Sequence, residues 1–383
     1  MRQLVFTVLQ FYATVLIAQE KALPRTPYYW LKDARTKVTA KDTSGVFASL
    51  KMAVQTGLYD PQAILGPKAF IDILSKEQKE NLEKGVLINR KRIEKPSALQ
   101  IITTDIRNFW ELFPHINDSS AKEKIWDKYI LNGSVGLQTF YQIRMNNDLE
   151  KFIRKIKSIQ KYYSSIRYVS NQFQFLKPQF VTAAKKLERL YPQSIFPPIY
   201  FLIGNLNNVG TVDGYAGLLI GTEHLCRHQE VDTSQLSDFD KVVLFDSSLA
   251  VPLITHEYVH IQQKNKTEET LLEYAIMEGA ADFVTYLVTG KFTDTQVYSF
   301  GFSNEQMIWE HFQQEMNGDN TDNWLFNTYN PKTGYPGNLG YFIGYRICES
   351  FYQKSTDKRQ AIKEILQISD FKEFLSKSGY TGL

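Results

Sequence analysis

Cysteine and histidine are scarce in this chain: its 383 residues include two cysteines and six histidines. Two cysteines are too few for a disulfide-dense scaffold or a four-thiolate zinc site. They are also not spaced C-x-x-C, so a dithiol redox motif has no support. Cys226 and Cys348 could pair in an oxidising compartment, or they could be two buried free thiols. The sequence does not place them within bonding distance.

The chain also lacks a marked charge imbalance and the common nucleotide and hydrolase motifs. Its formal net charge is +3, which is too small to favour nucleic acid or an anionic membrane surface as a partner. It has no P-loop, no G-x-G-x-x-G and no G-x-S-x-G, so NTPase, dinucleotide and serine-hydrolase functions have no support. Hydrophobic content of 43% is ordinary for a globular chain that could form one large domain or two.

Long apolar runs are missing except at the N-terminus. Met1 and Arg2 precede an apolar stretch from Leu4 to Ala18, and polar residues follow. This pattern predicts a signal peptide, residues 1–18, cleaved near Ala18, which makes the protein exported, either periplasmic or secreted. A buried first helix or an uncleaved anchor is the alternative. No cysteine lies near the boundary to accept a lipid, and we expect no stable insertion in a membrane.

The rest of the chain predicts an α+β fold that is mostly helical. Residues 19–97 form an N-terminal helical segment, and residues 98–383 form the main domain. Residues 197–204 and 215–221 have the composition of strands and are predicted to pair as a hairpin. Helices should dominate again from about residue 247. A small sheet therefore precedes the segment that carries the chemistry.

That segment contains His256-Glu257-Tyr258-Val259-His260, the pattern H-E-x-x-H. Residues i and i+4 lie on one face of a helix, so both imidazoles can reach one ion. Glu257 lies beside them and can hold a water molecule. We predict a helix over about 247–264, with Pro252 in its first turn, where proline is tolerated.

A second helix, from about residue 268 to 289 and ending at Gly290, is predicted to complete the site. Glu278 lies eighteen positions after His260, enough for the chain to reverse, and the small residues 279–281 should let the two metal-binding helices approach closely. Glu278 then becomes the third ligand of an open His₂Glu zinc site. Asp282, one turn later, is placed to accept the other ring N–H of His256.

These residues resemble the gluzincin pattern of thermolysin-like peptidases. The chain is also similar over residues 98–350 to a bacterial family of zinc-dependent proteases related to a gliding-motility envelope lipoprotein. This second resemblance includes, besides the metal helices, Ile102-Thr103-Thr104-Asp105, Phe109-Trp110, Asn132-Gly133-Ser134, Gly136-Leu137, the strand within 214–221 and the segment 340–346. The lipoprotein cysteine is absent, so the resemblance does not imply a motility role.

The resemblance implies a zincin-like fold and zinc-dependent hydrolysis of peptide bonds in a peptide or protein substrate. Glu257 would be the general base. In gluzincins a downstream Tyr or His stabilises the oxyanion, and the candidates here are Tyr345, Tyr341 and His311. Arg346 is a possible carboxylate clamp. The strand within 215–221 would offer its edge to an extended substrate.

Two alternative functions stay open. One is a noncatalytic envelope or scaffold protein that retains the fold, and another is an amide hydrolase with a non-peptide substrate. An intact Glu257 favours the enzyme, because a structural metal site has no use for a base.

A second group of possible metal ligands is His224-x-Cys226-x-His228. It offers three possible ligands without a nearby fourth, so we do not expect a metal there.

Overall fold

A computed structural model describes residues 23–207, 210–264, 269–327 and 334–382. It is mostly helical and has one small sheet of four strands, which confirms the predicted α+β class. The predicted signal peptide, residues 1–18, lies outside the described residues. No helix within the described ranges is both long enough and apolar enough to cross a bilayer.

Five helices form the N-terminal part, and their apolar faces share a small hydrophobic cluster of their own. Thr26 caps the first of these helices, and Ser75 and Gln78 form a reciprocal capping box on the fifth. The cluster extends from Leu31 to Val86, and Tyr215 of the main domain packs on it. The predicted boundary near residue 97 itself stays a prediction. The helices are α1 (Pro27–Thr39), α2 (Thr43–Gln55), α3 (Gln62–Leu65), α4 (Lys68–Ile71) and α5 (Lys76–Lys91).

A second helical region follows and shares the large core of the protein. Phe109 and Trp110 of this region are buried in that core. Residues Trp126–Leu131 form a π-helical turn, from which the Tyr129 hydroxyl donates to the backbone oxygen of Ile203. The helices are α6 (Thr104–Leu112), α7 (Ala121–Ile125), α8 (Val135–Ile143), α9 (Leu149–Ser158), α10 (Gln160–Gln172) and α11 (Lys177–Leu190).

The sheet has the order β1-β2-β4-β3, where β1 is Ile101–Ile102, β2 is Ile199–Leu202, β3 is Gly210–Asp213 and β4 is Gly217–Gly221. Strands β2 and β4 are the two predicted strands, but they pair in parallel. The predicted hairpin between them is therefore wrong. The antiparallel partner of β4 is β3, which lies between the two predicted strands, where no strand is predicted. The edge role predicted for residues 215–221 is wrong for the same reason, because β4 has a neighbour on each side.

Helices dominate the remainder, as predicted. The helix expected over 247–264 is shorter: a 3₁₀ turn over Ser247–Leu249 leads into α13, which ends at His260. Helix α13 (Ala250–His260) lies between strand β3 and helix α14 (Leu271–Thr289), and α14 packs along α17 (Leu339–Lys354). The helices are α12 (Asp238–Val242), α13 (Ala250–His260), α14 (Leu271–Thr289), α15 (Thr295–Ser303), α16 (Glu305–Glu315), α17 (Leu339–Lys354), α18 (Lys358–Ile365) and α19 (Phe371–Ser378).

Candidate metal centre

Helix α13 presents two histidines to one point. Pro252 lies in its first turn, where a missing N–H costs no hydrogen bond, and Asp246 caps the preceding 3₁₀ turn through Ser248 N. His256 and His260 are one turn apart, and their ring centroids are separated by 4.7 Å. Their Nε2 atoms are 3.0 Å apart. The H-E-x-x-H pattern is therefore helical in the structure.

Helix α14 brings a carboxylate to the same point. Thr270 caps this helix through Glu273 N, and Gly290 ends it in the left-handed conformation. The start predicted near residue 268 lies outside the described residues. Glu278 Oε2 is 3.1 Å from His256 Nε2 and 3.3 Å from His260 Nε2. The three atoms form a nearly equilateral triangle.

The triangle has dimensions that suit a zinc ion. Bonds of about 2.0–2.1 Å in a tetrahedral site separate the ligand atoms by roughly 3.3–3.5 Å. The edges of 3.0–3.3 Å need to widen by only a few tenths of an ångström. No fourth histidine, cysteine or carboxylate of the described chain joins the group. Three protein ligands with one position left for water are typical of a catalytic rather than a structural zinc site.

The outer nitrogens of both rings have acceptors, and this fixes the direction of the inner lone pairs. His256 Nδ1 donates to Asp282 Oδ1 at 2.7 Å, and His260 Nδ1 donates to Gln263 Oε1 at 2.7 Å. The Gln263 amide is itself oriented, because its nitrogen donates to Met277 O. Both neutral rings therefore direct an Nε2 lone pair at the Glu278 carboxylate. Three acceptors this close repel one another unless a cation or protons lie between them.

The electrostatics of the cluster show the same demand for positive charge. Burial opposes protonation of His256, but Asp282 and Glu278 outweigh it and raise the pKa of that imidazole well above its usual value. Burial likewise opposes protonation of His260, whose pKa is nevertheless raised, chiefly by Glu278. For Glu278, burial would raise the pKa, yet the two histidines hold it far below the ordinary range. The two carboxylates therefore favour positive charge on or between the two imidazoles.

Asp282 is completely enclosed by donors. Its Oδ1 accepts from His256 Nδ1 and from Thr293 Oγ1 at 2.9 Å, and its Oδ2 accepts from the Tyr298 hydroxyl at 2.6 Å. The structure thus places Asp282 beside the outer nitrogen of His256. Sequence reasoning missed Thr293, Tyr298 and Gln263, since no local pattern marks a residue whose role depends on a distant partner.

Glu257 lies on the wall of a cavity beside the ligand triangle. Its carboxylate has no hydrogen bond or ion pair to any residue in the described part of the chain. Gly210 of β3 lies so close that an added Cβ would be 3.3 Å from Glu257 Cγ. Both residues line a cavity of about 210 Å³, which also reaches His256 and Tyr341. An unpaired carboxylate beside the metal ligands can accept a proton from a water molecule there.

Of the two candidate tyrosines, the structure brings Tyr341 to the cluster. Its ring centroid is 6.1 Å from that of His256. Burial, together with the charges of Glu278, Asp282 and Glu257, raises the pKa of Tyr341 well above 10, so its hydroxyl remains a donor. Tyr345 lies one turn further along α17, where its hydroxyl donates to Glu349 and its ring packs among aromatic side chains such as Phe283 and Tyr298.

The other two sequence candidates lie elsewhere. His311 is exposed on α16 and stacks on Tyr335. The Arg346 guanidinium is engaged by Glu305 at 2.7 Å and by Glu349, so both of its neighbouring carboxylates already neutralise it. The charge of Arg346 is thus already balanced by two carboxylates, which argues against its role as a clamp for a substrate carboxylate.

A glycine contact sets the distance between α14 and α17. A Cβ on Gly279 would lie 2.1 Å from the backbone of Gly344, and a Cβ on Gly344 would lie 1.7 Å from Ala275 O. The small residue at position 279, expected to serve the approach of the two metal-binding helices, instead packs against a third helix. Since Glu278 precedes this contact and Tyr341 is one turn from it, the crossing holds the ligand and the hydroxyl together.

The possible metal ligands His224, Cys226 and His228 do not converge on one point. His224 is buried in a 3₁₀ turn with Nδ1 at 3.2 Å from Val243 O, whereas His228 is exposed. Cys226 Sγ contacts Thr222 O. Cys226 and Cys348 are both buried free thiols.

Comparison with known proteins gives one family match. The model of a family described as "Gliding motility protein GldB" matches residues 89–382, which is most of the chain. No curated protein matches the sequence, and no solved structure does. The match supports the predicted relation to a gliding-motility envelope lipoprotein and contains every residue of the metal cluster.

Proposed function

The chain belongs to the gliding motility protein GldB family, and we propose that it is a zinc metallopeptidase of the gluzincin type with a zincin-like fold. The observation that carries the proposal is the ligand triangle. His256, His260 and Glu278 direct three acceptor atoms at one point, with edges of 3.0–3.3 Å. A free carboxylate, Glu257, lies on the same helix at the wall of a cavity.

Each residue of the site has a part in the proposed reaction. His256, His260 and Glu278 would hold a zinc ion, which when bound would supply a Lewis acid for the substrate carbonyl and a water of near-neutral pKa. Glu257 accepts a proton from the attacking water and returns it to the leaving amine. The Tyr341 hydroxyl donates a hydrogen bond to the oxygen that gains negative charge. Asp282 keeps the His256 ring in the tautomer that leaves Nε2 free to bind metal.

The edge of the sheet favours a peptide over other amides. Strand β3 pairs only with β4 among the described strands, and its Gly210 lies against Glu257. An extended peptide can therefore add to β3 by backbone hydrogen bonds, with a bond to be cleaved placed beside the base. The strand predicted for this role, 215–221, is internal, so β3 replaces it in the proposal. A non-peptide amide would make no use of this edge.

Family membership favours one other candidate function. GldB is a lipoprotein family, which is compatible with an exported or envelope-associated protein, and its description names motility rather than hydrolysis. A noncatalytic envelope protein could retain the ligand cluster without turnover. The free carboxylate of Glu257 supports the enzyme, because a purely structural cluster needs ligands but no base.

The experiment compares the zinc-loaded wild type with Glu257→Gln on a mixed peptide library read by mass spectrometry. We expect cleavage by the wild type and a loss of at least about 100-fold in the variant, with equal zinc content. The matched control is Glu310→Gln, a change at an exposed carboxylate on α16 that should leave the rate unaltered. A zinc-loaded wild type without turnover on peptides and other amides would favour the noncatalytic protein.

A further inference from the structure

The loop between β2 and β3 is held by a buried carboxylate. Glu223 lies in the 3₁₀ turn that follows β4, and its side chain is fully buried. Its Oε2 accepts a hydrogen bond from Gly204 N at 2.8 Å, and its Oε1 accepts one from Leu206 N at 3.1 Å. No lysine, arginine or histidine within the described ranges neutralises its charge, and burial raises the pKa of this carboxyl to about 7. Burying a carboxyl without a cation is costly, and here the compensating hydrogen bonds come from this loop and from the turn itself.

The loop has a backbone conformation that needs such support. Leu206 is buried and has a φ of +57°, in the left-handed region, which is unfavourable for a leucine. A strained residue of this kind persists only where its surroundings hold it. At Gly204 the carboxylate comes so close that an added Cβ would lie 2.7 Å from Glu223 Oε1. The lack of a side chain at position 204 therefore lets the carboxylate approach the loop backbone.

Two tyrosine hydroxyls hold the start of the same loop. Tyr129 and Tyr163 donate to the backbone oxygens of Ile203 and Gly204, at 2.7 and 2.8 Å. The backbone N–H at position 206 donates instead to Glu223. Glu223 thus holds the loop at a point closer to β3 than either tyrosine does.

Strand β3 begins four positions after Leu206 and lies against the proposed base. A Cβ on Gly210 would be 3.3 Å from Glu257 Cγ. Pairing with β4 keeps β3 in the sheet, and Arg144 Nε donates to Thr211 Oγ1 at 2.7 Å. The loop sets where the strand starts, and hence how closely its first residue approaches the base.

We propose that Glu223 is a positioning residue: by holding Leu206, its carboxylate fixes the start of β3 and thereby the edge at which an extended peptide adds beside Glu257. Glu223 contacts no reacting group and acts only through the strand. The inference rests on the proposed function for the role of β3 as the substrate edge. The hold on the strand itself can be measured without turnover.

The test compares the zinc-loaded wild type with Glu223→Gln. A glutamine amide keeps one acceptor oxygen but turns its NH₂ donor toward the other backbone N–H, so one bond to the loop is lost. Amide hydrogen exchange over residues 210–213, read by mass spectrometry, should become about tenfold faster. For the library peptide that the wild type cleaves best, KM should rise about 5- to 10-fold while kcat stays within about threefold. Acetohydroxamate, a zinc ligand too short to pair with β3, should bind both proteins with the same Kd.

The matched control is Asp105→Asn. Asp105 is also a fully buried carboxylate that accepts a backbone hydrogen bond, from Ser134 N at 3.0 Å, but it joins α6 to α8 and does not contact this loop. The control should leave exchange over residues 210–213 and KM unchanged. If Glu223→Gln does not fold, as judged by circular dichroism, Tyr163→Phe removes a hydroxyl from the same loop and should change both readings in the same direction by a few-fold.

Three results overturn the inference: unchanged exchange over residues 210–213 in Glu223→Gln, an equal effect of Asp105→Asn, or a parallel loss of acetohydroxamate binding, which would show general damage to the site. A wild type that cleaves no peptide contradicts the proposed function, and amide exchange then decides alone whether Glu223 holds the strand. Wild-type cleavage together with unchanged exchange contradicts the positioning role and leaves the proposed function intact.

Discussion

The close crossing of α14 and α17 at Gly344 predicts that a larger residue there disturbs the candidate site as well as the packing of the two helices. In Gly344→Ala, the added Cβ would lie 1.7 Å from Ala275 O, whereas ordinary contact begins at 3.4 Å. The difference, 1.7 Å, must be absorbed by separation of the two helices, because the opposing atom belongs to the backbone and has no other rotamer. Tyr341 lies one turn from this contact and Glu278 precedes Gly279, so the hydroxyl moves away from the ligand cluster.

The magnitude follows from two opposing effects. Overpacking in a tight interior costs about 1–3 kcal/mol and can cost more when the backbone must move. The higher helix propensity of alanine returns up to about 1 kcal/mol. Because the backbone must move here, the cost lies at or above the upper end of that range, and we expect a net loss of about 2 kcal/mol or more in the free energy of unfolding. Because Tyr341 is displaced, we also expect a fall in turnover of at least about tenfold.

Urea denaturation and peptide turnover, each measured on zinc-loaded protein, provide the assay. Gly85→Ala is the control: it is also a helical glycine, but its added Cβ meets only a Val54 methyl, at 2.6 Å, which belongs to a side chain that can shift. Its stability should change by less than about 1 kcal/mol. If Gly344→Ala is as stable and as active as the wild type, the crossing does not position the site and the reasoning is refuted.

Three further predictions test other parts of the account. Asp282→Asn should weaken zinc affinity about 10- to 100-fold in chelator competition, since His256 loses the carboxylate that orients it, and an unchanged affinity would contradict that role. Tyr341→Phe should lower kcat about 10²- to 10³-fold with zinc content retained. Tyr345→Phe, which loses a hydrogen bond to Glu349, should leave kcat within a few-fold of the wild-type value. Equal effects of the two changes would count against Tyr341 as the donor. Burial raises the pKa of Glu223 from 4.5 to about 7, so the folded state holds a proton that the unfolded state releases, and stability falls as the pH rises from 4.5 to 7. The wild-type free energy of unfolding minus that of Glu223→Gln should drop by about 3 kcal/mol over that interval, and a flat difference would show that Glu223 does not carry this dependence.

The parts of the site that follow helical spacing were predictable from the sequence. His256 and His260 are related by one turn of α13, and Glu278 and Asp282 by one turn of α14, so local geometry alone puts each pair on one face. It was harder to predict which residue of α14 faces the two histidines of α13. The short reversal between the two helices nevertheless leaves few positions for a third ligand. The α+β class also followed from the periodicity of apolar residues.

Features that depend on tertiary contacts were not predictable. Strand β3 has no alternating apolar pattern, and its pairing with β4 is visible only in the structure. Parallel pairing of β2 with β4 depends on how the chain crosses over between them, which strand composition does not encode. Tyr341 and Tyr345 differ by about 6 Å along one helix, and only the tertiary packing of that helix shows that Tyr341 lies beside His256 while Tyr345 contacts Glu349.

The central claim is that His256, His260 and Glu278 form one zinc site with an open position. Equilibrium dialysis followed by elemental analysis tests it most directly on the wild type, His260→Ala, Glu278→Gln and the control Glu310→Gln. We expect one zinc per chain in the wild type and the control, and strongly reduced zinc binding in the two ligand variants. A wild type that binds no zinc, or ligand variants that retain one zinc per chain, would contradict it.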